Sequence, residues 1–175
     1  MSSKSPTADQ MAACAEMFKP APEHAVFKPF AGTFRSEVKM WMMPASEPQV
    51  STGTMVNTLV LNDRYLEQSY QDDSGMFAGR GFLGYNTVDK RYEGFWIDSI
   101  ASFFQVEHGQ YDKATKTWEM HSTLTDPSSG KPMRKRSVMR AVDNDHLVME
   151  MYFSHTENGK PGPEFKCMEI RHTRK

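Results

Sequence analysis

From Gly32 onward, clusters of turn-forming residues recur about every ten residues, and the stretches between them alternate apolar and polar with a period of two. A helix cannot use that pattern, because it buries every third or fourth residue. The breaks fall at Pro44–Pro48, Asn62-Asp63, Asp72-Asp73-Ser74-Gly75, Asn86–Lys90, Asp112–Lys116, Asp126–Pro132, Asp143-Asn144-Asp145 and Asn158–Pro163. Glycine, proline, asparagine and aspartate each favour turns for their own backbone reason. They delimit candidate strands at 32–43, 50–61, 64–71, 76–85, 91–98, 102–112, 117–124, 133–142, 146–155 and 164–173. Short strands joined by tight hairpins read as an up-and-down meander, and closure removes its two exposed edges. The expected fold is all-β: a closed antiparallel up-and-down barrel of about ten strands.

The N-terminal part differs. Met11, Ala12, Ala15 and Phe18 recur at helical spacing, so a short amphipathic helix is predicted over 8–18, ended by Pro20 and Pro22. One more helical turn at 23–29 would lead Phe27 and Phe30 towards the core. The expected organisation is a tail and helical segment over 1–31 and a barrel domain over 32–175.

A chain of 175 residues buries enough surface to fold as one domain without staples. With 21 basic and 22 acidic side chains it has no long-range field that favours nucleic acid or an anionic membrane. No run approaches the ~20 apolar residues of a membrane-spanning helix. The opening MSSKSPTADQ lacks an apolar stretch behind its lysine, so no secretory leader is read and a cytoplasmic location is expected. Cys14 and Cys167 are expected to be reduced and structural. The compositional outlier is methionine, with 14 residues, a side chain that fills irregular cores and adaptable binding surfaces.

Strand faces follow from the alternation. Trp118, Met120, Ser122 and Leu124 read as inward, as do Leu147, Met149, Met151 and Phe153. Between 91 and 98, the face carrying Tyr92, Gly94, Trp96 and Asp98 is taken as inward, which puts Asp98 near a rim. Phe104, Val106 and His108 share a face, so His108 is a candidate lumen histidine. Glu67, Asp98, Glu107 and Glu150 stand among aromatics. An inward carboxylate there would be desolvated and suited to acid–base work, whereas an outward one would be solvated or paired with arginine. The run KPMRKRSVMR reads as a solvated outer face of Arg134, Arg136 and Arg140 backed by Met133, Ser137 and Met139. The six histidines show no metal-type spacing, and no P-loop, dinucleotide fingerprint or nucleophile elbow is present.

Several stretches are familiar together: Pro22-Glu23-His24, Gly32-Thr33-Phe34, Val38-Lys39-Met40-Trp41, Arg64-Tyr65-Leu66-Glu67-Gln68, Gly79-Arg80-Gly81-Phe82-Leu83-Gly84-Tyr85, Trp96-Ile97-Asp98-Ser99, Tyr111-Asp112-Lys113-Ala114-Thr115-Lys116 and Met168-Glu169-Ile170. In their order they resemble a mostly bacterial family known only as a domain of unknown function, DUF1579. The resemblance spans 22–175 and implies a lipocalin-like, or calycin-like, barrel with no activity to carry over. The Gly-x-Trp familiar at the start of calycins is Gly32-Thr33-Phe34 here, which keeps a floor plug but loses the indole donor.

The expected function is a non-enzymatic module that binds a small apolar or amphipathic ligand in the lumen. The candidate lining residues are Tyr65, Glu67, Tyr85, Trp96, Asp98, Phe104, His108, Trp118, Met149 and Met151. Two other readings stay open: an enzyme using a buried carboxylate (Asp98, Glu67 or Glu107), and a structural protein with a filled barrel. No cofactor or metal is expected, and specific haem binding through His108 or His172 is expected not to occur. A homo-oligomer is left open.

Overall fold

The computed structural model describes residues 5–157 and 160–175. A helix α1 (Ala8–Met17) is followed by a 3₁₀ segment η1 (Pro22–Phe30). Strands β1 (Gly32–Met40), β2 (Gln49–Val60), β3 (Tyr65–Asp72), β4 (Ala78–Asn86), β5 (Arg91–Asp98), β6 (Gln105–Asp112), β7 (Thr117–Thr125) and β8 (Pro132–Ala141) come next. They are followed by β9 (His146–Glu157), the two-residue β10 (Lys160–Pro161) and β11 (Phe165–Arg174). Consecutive long strands pair antiparallel from β1 to β9, β9 pairs with β11, and β11 returns to β1. The ten long strands therefore close into an up-and-down barrel, as the alternation and hairpin spacing predict, and each strand starts or ends within three residues of its predicted bound.

Two boundary differences have local causes. β1 stops at Met40, where the chain turns and the Trp41 amide donates to the Cys167 carbonyl at 2.9 Å. β6 begins at Gln105, because Asp98 Oδ1 accepts from the amides of Ile100 (3.0 Å) and Ala101 (2.7 Å) and holds 99–104 in a loop.

One end of the barrel is sealed. Pro22 at the start of η1 presets its backbone, and the Ala21 amide donates to His24 Nδ1 at 2.9 Å. The segment then lays Phe27 and Phe30 across the barrel end. Phe30 meets Trp118 with ring centroids 4.1 Å apart, and Phe27 packs on Trp118 and Tyr92. Phe27, Phe30, Phe34, Leu66, Trp118 and Leu147 are fully buried. Each contributes about 1.5–3 kcal/mol on burial. Arg174 ties this plug to the wall: its guanidinium donates to the carbonyls of Ala31 (2.7 Å) and Pro29 (2.9 Å) and lies over the Phe34 ring.

Candidate functional site

Residues directly opposite each other on antiparallel strands share a face. Trp118, fully buried, faces Tyr111 on β6 and Met139 on β8. By alternation Gln105, Glu107 and Gly109 also point inward, and so do Met133, Lys135 and Ser137. The same reasoning continues through Tyr92, Gly94 and Trp96 on β5, and through Met149 and Met151 on β9. On the far wall the inner residues include Ser36 and Val38 of β1, Ile170 and His172 of β11, and Gln68 and Tyr70 of β3.

The half of the lumen away from the plug carries a polar shelf on β5–β8. Lys135, only 4% exposed, donates from Nζ to Gln105 Oε1 at 3.2 Å and pairs with Glu107 Oε2 at 3.3 Å. Ser137 donates to the same Glu107 oxygen at 3.2 Å. Gln105 Nε2 in turn donates to Asp98 Oδ2 at 3.3 Å. Ser122 lies directly opposite Lys135, its hydroxyl buried without a protein partner. The Glu107 side chain keeps 22% of its surface although it points inward, so water reaches the lumen at this level. Met149, Met151 and Trp96 are likewise inward yet only half-buried. The Trp96 ring lies flat on the wall over Gly79 and Gly81. A Cβ at Gly79 would sit 2.1 Å from its Cζ2, so the ring needs glycine beneath it.

The opposite wall is quieter. Ser36 Oγ and His172 Nδ1 are 2.8 Å apart and both buried. Burial pushes the His172 imidazole down to about 4, so it is neutral at neutral pH. The Tyr70 hydroxyl and Asn57 Oδ1 are buried without partners. A buried polar atom left unpaired costs about 1–3 kcal/mol; Asn57 Oδ1 lies beside the plug, where Nδ2 of the same side chain donates to the Phe30 carbonyl, and the Tyr70 hydroxyl lies over Gly53. Cys167 lies at a bulge of β11, and burial raises its thiol to about 11.

The expected lining residues divide into three groups. Trp96, Met149 and Met151 line the open half, and Asp98 stands at its rim with both oxygens engaged. Trp118 and Tyr85 belong to the sealed end, Trp118 in the core and Tyr85 meeting His24 edge-on beside a hollow of about 270 Å³. Tyr65, Glu67, Phe104 and His108 do not point inward. Tyr65 and Glu67 face Gly84 and Phe82 on the outer side of the wall, and Tyr65 is 41% exposed. Phe104, 66% exposed, sits in the 99–104 loop against the outer ring of Phe95. His108 is exposed and faces Glu93 and His121, also outside. The cause is that β6 reads inverted: its outer residues Val106 and His108 look more core-like than its inner Gln105 and Glu107. The basic run behaves as expected, with Arg134, Arg136 and Arg140 outside and Met133, Ser137 and Met139 inside. Lys135 falls on the methionine face, a position that strict alternation through that run already marks.

Cys14 and Cys167 are both free thiols. Among the described residues no group of three or more His, Cys, Asp or Glu could hold a metal ion, and no helix is long and apolar enough to cross a membrane. Two hollows open at the ends of the wall. One, of about 270 Å³, is bounded by Met17, Arg64, Tyr65 and Tyr85 beside the plug, and one, of about 300 Å³, by Tyr70, Gly79, Arg80, Ile97 and Asp98 at the rim where the shelf ends.

A family model described as "Protein of unknown function (DUF1579)" matches residues 19–174. No curated protein matches. Among solved structures, Rv2717c from M. tuberculosis superposes with a TM-score of 0.61 at 14% identity, over 90% of this chain and 99% of that one, which shows a shared fold. EF1p2_mFAP2b, solved bound to DFHBI, superposes with a TM-score of 0.42 at 10% identity, over 87% of this chain and 98% of that one.

Proposed function

The chain belongs to the DUF1579 family, whose description names no activity, and we propose that it is a non-enzymatic module binding a small amphipathic molecule in the open half of its lumen. The observation that carries this is the difference in accessibility along one inner wall: Trp118 is fully buried, while Trp96, Met149, Met151 and Glu107 stay partly exposed. This half is therefore less filled by its own side chains than the sealed end. Sites for small molecules combine apolar walls with a few placed polar groups. Methionine and tryptophan supply the first here. The Asp98–Gln105–Lys135–Glu107–Ser137 chain, together with the unpaired Ser122 and Tyr70 hydroxyls, supplies the second. A purely apolar ligand would leave those groups unmatched, so the amphipathic class is favoured. Of the carboxylates an enzyme would use, Glu67 is outside, Asp98 caps a turn and Glu107 is held by Lys135. We place the module in the cytoplasm, in keeping with its two free thiols.

Native mass spectrometry of the freshly purified protein tests this reading. A co-purified small molecule is expected, and its release should change the emission of Trp96. A protein with no bound mass, whose Trp96 emission ignores a panel of amphiphiles, would count against it.

A further inference from the structure

We infer that the lumen selects its ligand by an uncharged head group that both donates and accepts hydrogen bonds, of the primary-amide type, over a carboxylate or an ammonium on the same apolar tail. This rests on the lumen-binding reading above and specifies its polar end.

The argument is one of remaining hydrogen-bonding capacity. The Lys135 ammonium has three N–H groups, and two are directed at Gln105 Oε1 and Glu107 Oε2. Glu107 takes both Lys135 and Ser137 on Oε2, which leaves its other oxygen for the lumen. Ser122, opposite Lys135, has a buried hydroxyl without a partner. What the shelf still offers is therefore one cationic donor, one hydroxyl and one anionic acceptor, side by side. An anionic head would gain Lys135 and meet Glu107; a cationic head would do the reverse. Either would give up its hydration in a site whose charges are already matched. The third charge on this wall, Asp98, is taken up by the Ile100 and Ala101 amides and by Gln105. On the β11 side, Cys167, which burial keeps protonated, and His172, which burial keeps neutral and which Ser36 holds, add no charge. An amide carbonyl can accept from Lys135 or Ser122 while its N–H₂ donates to Glu107, so no charge is left unpaired.

The test compares octanamide, octanoate and octylamine at pH 7 on the full chain, by calorimetry and by Trp96 emission. Octanamide is expected to bind at least about tenfold more tightly than the other two, a difference of about 1.4 kcal/mol. In Glu107→Gln, which keeps an acceptor for Lys135 and Ser137, octanoate should gain about tenfold, as expected when one charge of a pair is removed. Lys135→Gln should shift the preference towards octylamine, and it provides an independent variant should the first fail to fold. Octanoate or octylamine binding tightest to the unaltered protein would overturn the inference. Equal affinity for all three, or a ranking that neither variant moves, would overturn it while leaving lumen binding intact. No binding by any of the three, with Trp96 emission unchanged, would overturn both.

Discussion

The two ends of this barrel are built from the same strands and the same alternation, yet the inner side chains of one are fully buried and those of the other only half-buried. At the sealed end η1 adds Phe27 and Phe30 to Phe34, Trp118 and Leu147, and the aromatic rings interlock at centroid distances such as 4.1 Å for Phe30–Trp118 and 5.0 Å for Tyr111–Trp118. At the open end no corresponding segment enters among the described residues, and the inner wall turns polar. A barrel of ten strands is too wide for its own wall residues to fill it evenly. The end that receives an extra segment becomes core, and the other keeps its inner side chains partly exposed.

The contrast can be broken most directly at its two tryptophans. Trp118→Ala should cost about 3–5 kcal/mol, seen as a thermal midpoint lower by roughly 10 °C. Trp96→Ala should cost about 1–2 kcal/mol and abolish the ligand-dependent emission, because its ring is only half-buried. Equal losses would mean that both ends are core.

A second test uses His172, which packs against Phe34 of the sealed end. Its folded pKa of about 4 lies below its ordinary 6.5, so the unfolded chain binds the extra proton first. Stability is then complete above pH 6.5 and declines as the pH falls through the window towards 4, by up to about 3 kcal/mol. Thermal melts in that window should show this slope, and His172→Leu should flatten it. An unchanged slope in the variant would assign the effect elsewhere.

Gly79→Val sharpens the comparison at the open end. The new side chain would occupy the space of the Trp96 ring, 2.1 Å from Cζ2, and push it into the lumen. The expected cost is about 1–3 kcal/mol, with weaker ligand binding and a shifted Trp96 emission. The smallest effects are expected outside the wall. Glu67→Gln and His108→Ala should change stability by less than about 0.5 kcal/mol and leave ligand affinity unaltered. A loss of binding in either would show that the outer face takes part.

Most of the scaffold was legible in the chain. The turn clusters delimit all ten long strands, and the helical spacing over 8–18 marks α1. The inward faces of β5, β7 and β9 follow from Trp96, Trp118 and Leu147. The candidate site was legible only in part, and β6 shows why. Face assignment weighs apolar against polar residues, which works where the inner wall is core. In the open half the inner wall is Gln105 and Glu107, so hydrophobicity points the wrong way and carries His108 and Phe104 inward with it. Tyr65 and Glu67 mislead similarly, because Tyr65 packs its ring on the outer face of Gly84.

The closed antiparallel meander is written in the order of residues, since period-two alternation cut by tight turns admits little else and closure satisfies its edges. The same order also sets which face of each core-like strand is buried. That η1 seals one end, and that Lys135 on β8 reaches Gln105 and Glu107 two strands away on β6, follows from how the closed wall is assembled. Those contacts join residues about 30 positions apart whose distance along the chain carries no periodic signal. They exist because the closed wall curves these strands around a common interior, where a charge has few places to go except to another charge.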